Sequence, residues 1–404
     1  MSERATMERV VRHATISHFF LLLGYKIFSF YFPLFLIAQG FSLPQVGFTY
    51  LLIYLPIALT APFAGILNHR VNPVLLASLG IGGYGVYALA MLVVPGTVLF
   101  YAAQVFLGIS AALFVTSFRS VLMGSHLRQP EQAFGWFYSA PFYVDAIAPA
   151  LGAILIWQFG FPGVFFVSMF IHAGNGLYTF FALRKTGSSL LDTTPVRTMI
   201  VNYGTVARGL LSRPVLPLLL PAFSILLVAG FYNSFFVLFL KDLGWSQNLI
   251  LVFGSVFAVL FFPVSLFVIH RLGRQTTFGN VFRGGLLYGG SSLMFAFGGM
   301  LWSFGGALLF MVARSFGGLM VNAGRSGLLS RLFPNLPEET GAVDTVFAPL
   351  GRALGALGAG LLIGVVGYSF LFAGGGVFIV AVLLLSWFLR KRAQGAIARR
   401  AFFR

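Results

Sequence analysis

The feature that most constrains this chain is its succession of apolar runs, each long enough to cross a bilayer as a helix of about 20 residues. Of the 404 residues, 58% are hydrophobic and 9% are charged, which leaves too little polar surface for a water-soluble globule. An open strand would leave backbone groups without partners in lipid, so each run is expected to be helical. The sequence therefore predicts an all-α membrane protein.

The apolar runs form two sets of six, separated by a polar connector. The twelve predicted spans lie near 15–38, 45–68, 73–94, 97–122, 133–157 and 162–184, then near 215–240, 247–270, 279–301, 304–326, 340–365 and 367–389. The predicted units are an N-terminal six-helix bundle over 1–184, a cytoplasmic linker over 185–214, and a C-terminal six-helix bundle with a basic cytoplasmic tail over 215–404. Part of the linker, near 206–211, fits either a short interfacial helix or an irregular loop.

The Lys and Arg residues test this topology independently, because short cytoplasmic connections are enriched in them. Most of the 26 basic residues lie in the two tails and in every second connection, and the connections between these carry almost none. This alternation predicts a multi-pass protein of the inner (plasma) membrane with both termini in the cytoplasm. It also accounts for the net charge of +17 without a basic face for nucleic acid.

The two sets of spans are related to each other by an internal repeat. Phe32–Ser42 matches Phe236–Ser246, and Pro62–Arg70 matches Pro263–Arg271, in the same order and at nearly the same offset. Ordered matches with little drift indicate duplication of a half-protein into two pseudo-symmetric bundles. Parallel duplication of apolar helices is a recurring plan of secondary transporters.

The twelve spans, the two parallel halves and the long central connector together resemble the major facilitator superfamily over essentially the whole chain. The signature of that family after its second helix is G-x-x-x-D-R-x-G-R. This sequence keeps Gly65 and Arg70 but has His69 in place of the acid, and the second half has His270 at the matching place. The resemblance implies a transporter that works by alternating access, with an altered device for closing its cytoplasmic side.

Charged side chains inside the predicted spans are the candidates for a solute site. A charge at mid-membrane costs at least about 2.5 kcal/mol on insertion scales, so each needs a partner or a wet cavity. Lys26, Asp145, Arg314 and Arg352 each lie roughly 11 residues into a span, which places them at similar depth near the midplane. Transporters bind their substrates at that depth.

The resemblance implies that spans 1, 4, 7 and 10 line a central cavity. Lys26, Arg314 and the neighbouring Tyr232 and Asn233 would then be exposed to a solute, and Arg352 is a further candidate. Fixed cations with polar neighbours favour an anionic or zwitterionic solute, because a carboxylate or phosphate can neutralise them.

Two alternatives for these residues stay open at this stage. Asp145 is the one carboxylate predicted in the membrane interior, so it is either a proton carrier for coupled transport or a permanent counter-ion to Lys26 or Arg352. Arg314 either faces solute or makes structural contacts with backbone carbonyls.

A second group of charges is predicted at the cytoplasmic surface. Glu131 and Asp344 lie near helix starts, where the helix dipole favours acids. The resemblance implies that Glu131 approaches Arg271 and that Asp344 approaches Arg70, with Arg119 as a third member. These charges are either a replacement for the missing acids or ordinary caps. The candidate cytoplasmic gate residues are His69, Arg70, Arg119, Glu131, His270, Arg271 and Asp344.

The motifs of several enzyme classes do not occur in the sequence. There is no cysteine, no phosphate-binding loop and no local cluster of metal ligands, so no catalysis, cofactor or metal is predicted. We predict a monomeric carrier whose partners are a small solute and the lipid bilayer, with protons as a candidate coupling ion. The alternatives are an exporter of amphipathic, lipid-like compounds and a non-transporting receptor or assembly protein of the same shape.

Overall fold

Helices make up nearly all of the computed structural model, which describes residues 3–29, 31–92, 98–125, 130–188, 195–213, 215–272, 276–295 and 303–402. The first half contains α1 (Glu3–Ser29), α2 (Phe32–Ala38), α3 (Leu43–Arg70), α4 (Pro73–Met91), α5 (Val98–Gly124) and α6 (Pro130–Ser188). Between the halves lies α7 (Val196–Leu210). The second half contains α8 (Leu216–Asp242), α9 (Gln247–Leu272), α10 (Thr277–Ser292), α11 (Phe304–Leu332) and α12 (Pro337–Phe402).

Two of these helices are too long for a single crossing. α6 has 59 residues and α12 has 66, which correspond to about 90 Å and about 100 Å of helix at 1.5 Å per residue, whereas a bilayer core is about 30 Å thick. Each is broken where a glycine takes a positive φ, 66° at Gly160 and 77° at Gly367, a conformation that glycine adopts without the penalty of a Cβ. Both breaks coincide with predicted span boundaries.

The predicted fold class, an all-α membrane protein, is confirmed. Within the described residues, eight helices are long and apolar enough to cross a membrane, or nine if the bent pair 252–261 and 265–272 counts as one span. Because α6 and α12 enter that count once each, the exact number of twelve crossings stays a prediction. The end of the predicted span 279–301 and residues 189–194 and 214 of the predicted linker lie outside the described residues.

The linker contains the helix α7, so the helical alternative is the one that occurs. Met199, Val206 and Leu210 are buried on its inner face. The Tyr203 hydroxyl donates a hydrogen bond to the Pro62 carbonyl at 2.9 Å, which holds α7 against α3. Burial, together with the neighbouring carboxylates of α12, raises the pKa of Tyr203, so its phenol remains a neutral donor.

The two halves meet along a close contact between α3 and α12. A Cβ added at Gly47 would lie 2.7 Å from the carbonyl oxygen of Ala356, and one at Gly65 would lie 2.7 Å from the Cβ of Ala342. Small residues therefore allow the helices to approach along most of their length, as is usual where packing drives association in lipid.

Candidate solute site and gate

The first charged group inside the helices is an ion pair between α1 and α6. Lys26 Nζ lies 2.7 Å from Asp145 Oδ1, and it also donates to the Pro141 carbonyl at 3.3 Å. The two charged side chains are 22% and 34% exposed. Each charge offsets the other, and the geometry is that of the counter-ion alternative for Asp145.

Arg314 lies among aromatic rings of the second half. Its Cζ is 4.7 Å from the ring centroid of Tyr232 and 5.7 Å from that of Tyr288, and its Nη1 donates to the Tyr288 hydroxyl at 3.3 Å. The ring faces attract the guanidinium charge. Its Nε is buried without a hydrogen-bond partner. Among the described residues, no backbone carbonyl accepts a hydrogen bond from this side chain, which differs from the structural alternative.

Tyr232 is buried in the second half, whereas we expected it to be exposed to a solute in the cavity. Its side chain is 3% exposed, and its ring stacks on Phe372 with centroids 4.6 Å apart. The reason is rotational: the ring points from α8 toward α10, α11 and α12. Asn233, one residue and about 100° further round the helix, is exposed.

Arg352 extends from α12 toward the first half. Its Cζ is 6.0 Å from the ring centroid of Tyr54 on α3, and its Nε is buried without a hydrogen-bond partner. Neither Arg352 nor Arg314 lies within ion-pair distance of a carboxylate in the part of the chain that the structure describes. Lys26 thus has a carboxylate partner, and the two arginines have none among the described residues.

A buried charge cluster joins the halves near the first turns of α12. Asp344 Oδ1 accepts a 2.7 Å hydrogen bond from Arg325 Nε, and Asp344 Oδ2 lies 3.4 Å from Arg119 Nε. The Ser326 hydroxyl donates to Oδ2 at 2.6 Å, and the Tyr138 hydroxyl donates to it at 3.4 Å. Arg119 and Tyr138 belong to the first half and the other three to the second, so the cluster crosses the interface. We call these five residues the gate cluster.

The partners of the two predicted gate acids differ from those expected. Asp344 pairs with Arg325 and Arg119, whereas Arg70 is exposed. Glu131 Oε2 pairs with Arg331 Nη2 at 2.6 Å, and the exposed Arg271 lies with its Cζ 4.0 Å from the ring centroid of Phe267.

The different partner of Glu131 has a local cause. A Cβ at Gly327 would meet the Glu131 side chain at 2.5 Å, so only glycine lets the first turn of α6 approach α11 there. Arg331 lies one turn further along α11 and reaches the carboxylate.

The sequence matches the model of the Major Facilitator Superfamily over residues 14–343, which is more than half of the chain. This chain belongs to the Major Facilitator Superfamily. It is therefore an integral, multi-pass membrane protein. None of the proteins with curated functions matches its sequence significantly.

Solved structures of transporters share the fold of this superfamily member. The structure of the human organic anion transporter MFSD10 (TETRAN) is similar with a TM-score of 0.70 and 17% identity, covering 95% of this chain and 99% of that one. A bacterial homologue of the iron transporter ferroportin in the outward-facing state is similar with a TM-score of 0.67 and 18% identity, covering 96% and 99%. At these identities the likeness shows the fold alone.

The two histidines that replace the superfamily's signature acids lie in different surroundings. His69 is buried, and its Nε2 lies 3.4 Å from Glu339 Oε1 at the start of α12. His270 is exposed, with Nδ1 2.8 Å from the carbonyl of Leu266 in its own helix. The sequence repeat therefore does not extend to equivalent contacts.

Several residues of these clusters were not predicted from the sequence as gate residues. They are Tyr138, Arg325, Ser326, Arg331, Glu338 and Glu339. One signal could have found the glutamates, since the chain has only nine acidic residues and two of them follow Pro337 directly. The contacts of the others depend on helix register, which spacing in one sequence does not reveal.

Proposed function

We propose that this chain is a secondary carrier of the inner membrane, with cytoplasmic termini, that moves a small anionic or zwitterionic solute by alternating access. The observation that carries the proposal is the presence of two arginines, Arg314 and Arg352, without a carboxylate partner among the described residues. The superfamily supplies the transporter fold, and these charges supply the selectivity.

Electrostatics favours an anionic or zwitterionic solute at these arginines. A guanidinium at mid-membrane depth costs at least about 2.5 kcal/mol, and a protein carboxylate would normally offset that cost. Here aromatic faces offset part of it for Arg314, and the Nε atoms of both arginines are buried without acceptors. A solute carboxylate, sulfonate or phosphate could accept those hydrogen bonds and neutralise the charge.

The two structures with a similar fold are named for solutes of opposite charge: one is an organic anion transporter, and the other is a bacterial homologue of an iron transporter. Uncompensated arginines repel a metal cation and attract an anion, so the chemistry of this chain favours the first class. The choice rests on Arg314 and Arg352 and not on the 17% identity.

For Asp145 we propose the role of counter-ion to Lys26, supported by their 2.7 Å contact. A proton-coupled cycle would instead need this carboxylate to take up a proton and release the lysine. Uptake by wild type and Asp145→Asn under an imposed pH gradient separates the two. The counter-ion role predicts that a pH gradient drives solute uptake by neither protein. Uptake that a pH gradient drives in wild type but not in Asp145→Asn would instead establish proton coupling.

Solute class can be tested by ligand-induced stabilisation of the purified protein, because a ligand that binds the folded state raises its unfolding temperature. The probes are benzoate, succinate and inorganic phosphate as anions, taurine as zwitterion, and tetraethylammonium as cation. We expect stabilisation by at least one anion or zwitterion and none by the cation.

The arginines are then tested one at a time against that ligand. Hydrogen bonds to charged groups contribute about 1.5–3 kcal/mol, so Arg314→Ala and Arg352→Ala should weaken binding roughly tenfold to a hundredfold. The matched control is Arg271→Ala, which removes an exposed arginine of the same half. Stabilisation by tetraethylammonium alone, or equal affinity in all three variants, would reject the anion proposal.

A further inference from the structure

One histidine and two glutamates converge where α3, α7 and α12 meet, at a point that the proposed solute site does not use. His69 lies in the last turn of α3, and Glu338 and Glu339 lie in the first turn of α12; all three are buried. One donor atom from each lies within 4.8 Å of the donor atoms of the other two. The cluster therefore brings an imidazole and two carboxylates together from opposite halves of the molecule.

The spacing fits a shared ion. Two ligands bonded to one tetrahedral ion at about 2.0–2.1 Å are about 3.3–3.4 Å apart. His69 Nε2 and Glu339 Oε1 are separated by 3.4 Å, which is longer than a typical direct hydrogen bond of about 2.9 Å.

An independent observation is the second oxygen of Glu339. This residue is 1% exposed, and its Oε2 is buried with no hydrogen-bond partner in the part of the chain that the structure describes. Leaving a buried carboxylate oxygen unsatisfied is costly, and a bound cation would remove that cost. The other oxygen, Oε1, accepts a 2.9 Å hydrogen bond from Asn202 Nδ2, so α7 orients the carboxylate as outer-shell residues orient metal ligands.

We propose that His69, Glu338 and Glu339 form a binding site for a divalent transition-metal ion of the Zn²⁺ type. Imidazole combined with carboxylates suits Zn²⁺ and its first-row neighbours, whereas Ca²⁺ and Mg²⁺ prefer all-oxygen surroundings. Two carboxylates and a neutral imidazole carry a charge of −2, which a divalent ion balances.

Binding at this point would also affect movement of the halves. His69 belongs to the first half and the glutamates to the second, so an ion would fasten α3 to α12 and oppose their separation. This consequence, inhibition of transport by Zn²⁺, rests on the proposed carrier function. Binding of the ion does not depend on the carrier function, so the metal site and the carrier function can be rejected independently.

The site can be tested by isothermal titration of untagged, metal-free, full-length protein in detergent with ZnCl₂. We expect one tight site per chain. His69→Gln and Glu339→Gln each remove a ligand and should weaken binding about tenfold or more, with Asn202→Ala weakening it about tenfold through the outer shell. His270→Gln is the matched control, because His270 occupies the equivalent place in the repeat but is exposed.

Variants that do not fold are recognised by thermal unfolding. In that case Co²⁺ provides a second measurement on the wild type, since a tetrahedral site gives it visible absorption bands that excess Zn²⁺ removes. Absence of a tight site, or an affinity unchanged in both ligand variants, would overturn the proposal. An equal loss of Zn²⁺ affinity in His270→Gln would overturn the proposal as well.

Discussion

At the scale of single residues, the charged side chains inside the helices differ in what neutralises them. Lys26 has a carboxylate, Arg314 has the faces of aromatic rings, and Arg352 has one tyrosine ring of the opposite half. Because lipid offers no compensation, these differences decide which charges are structural and which are available to a solute. We propose that the pair of Lys26 with Asp145 is the structural one.

Removing either member of that pair alone should destabilise the protein, because the remaining charge loses its partner. The pair is partly exposed, so we expect about 1 kcal/mol for Lys26→Met or Asp145→Asn, well below the cost at a fully buried pair. The double variant should recover most of this loss, as measured by thermal unfolding in detergent. Lys241→Met, at an exposed lysine, is the control. Additive losses in the double variant would show that the two residues are not coupled.

The helix to which each of these residues belongs could be predicted from the sequence, because it follows from counting along the apolar runs. Their partners could not, since a partner depends on the rotation of each helix about its axis. Tyr232 illustrates this: the expected helix is present, yet the ring faces Phe372 and not an open cavity. Glu131 is similar, because Gly327 brings it to Arg331 and away from the expected Arg271.

At the scale of helices, apolar length and glycine positions determine most of the architecture. The boundaries inside α6 and α12 were predictable because Gly160 and Gly367 end apolar runs of about 20 residues. The helix α7 was predictable only as one of two alternatives, since an isolated segment of 15 residues is marginally stable and depends on its contacts with α3 and α12.

The contact between α3 and α12 gives a prediction at this scale. Gly47→Ala would place a Cβ 2.7 Å from the backbone carbonyl of Ala356, so the helices must separate, at a cost of about 1–3 kcal/mol. The unfolding temperature should therefore fall.

Gly358→Ala is the matched control on α12, because no atom lies within 4 Å of the added Cβ. It should be neutral or slightly stabilising, since alanine favours helix over glycine. A variant Gly47→Ala as stable as Gly358→Ala would contradict the close contact.

At the scale of the whole molecule, the two halves are connected by buried charge. In the gate cluster, one carboxylate, Asp344, stands between two arginines that belong to different halves. If the two halves separate here, Arg119 and Arg325 cannot both keep their contacts with Asp344. We therefore propose that this cluster holds the two halves together at this end of the molecule and acts as a gate.

Asp344→Asn should open this end, because it leaves Arg119 and Arg325 facing each other without a carboxylate. Breaking a buried pair from one side costs about 3–5 kcal/mol. The chain has no cysteine, so spin labels can be attached at Arg184→Cys in the first half and Arg271→Cys in the second, both exposed. Electron–electron distance measurements should show longer separations in the variant. The control is Asp242→Asn, at an exposed acid, which should leave the distances unchanged. Unchanged distances in Asp344→Asn would contradict the gate role.

The most direct test of the whole account is solute flux in proteoliposomes. Initial uptake of the anion or zwitterion that stabilises the protein is compared with uptake of tetraethylammonium, in wild type, Arg352→Ala and Arg392→Ala, the last being a control at an exposed arginine of the same half. We predict saturable uptake of the first solute by wild type and Arg392→Ala, a loss of at least about tenfold in Arg352→Ala, and no uptake of the cation. Uptake of the cation with exclusion of anions, or no flux of any solute, would contradict it.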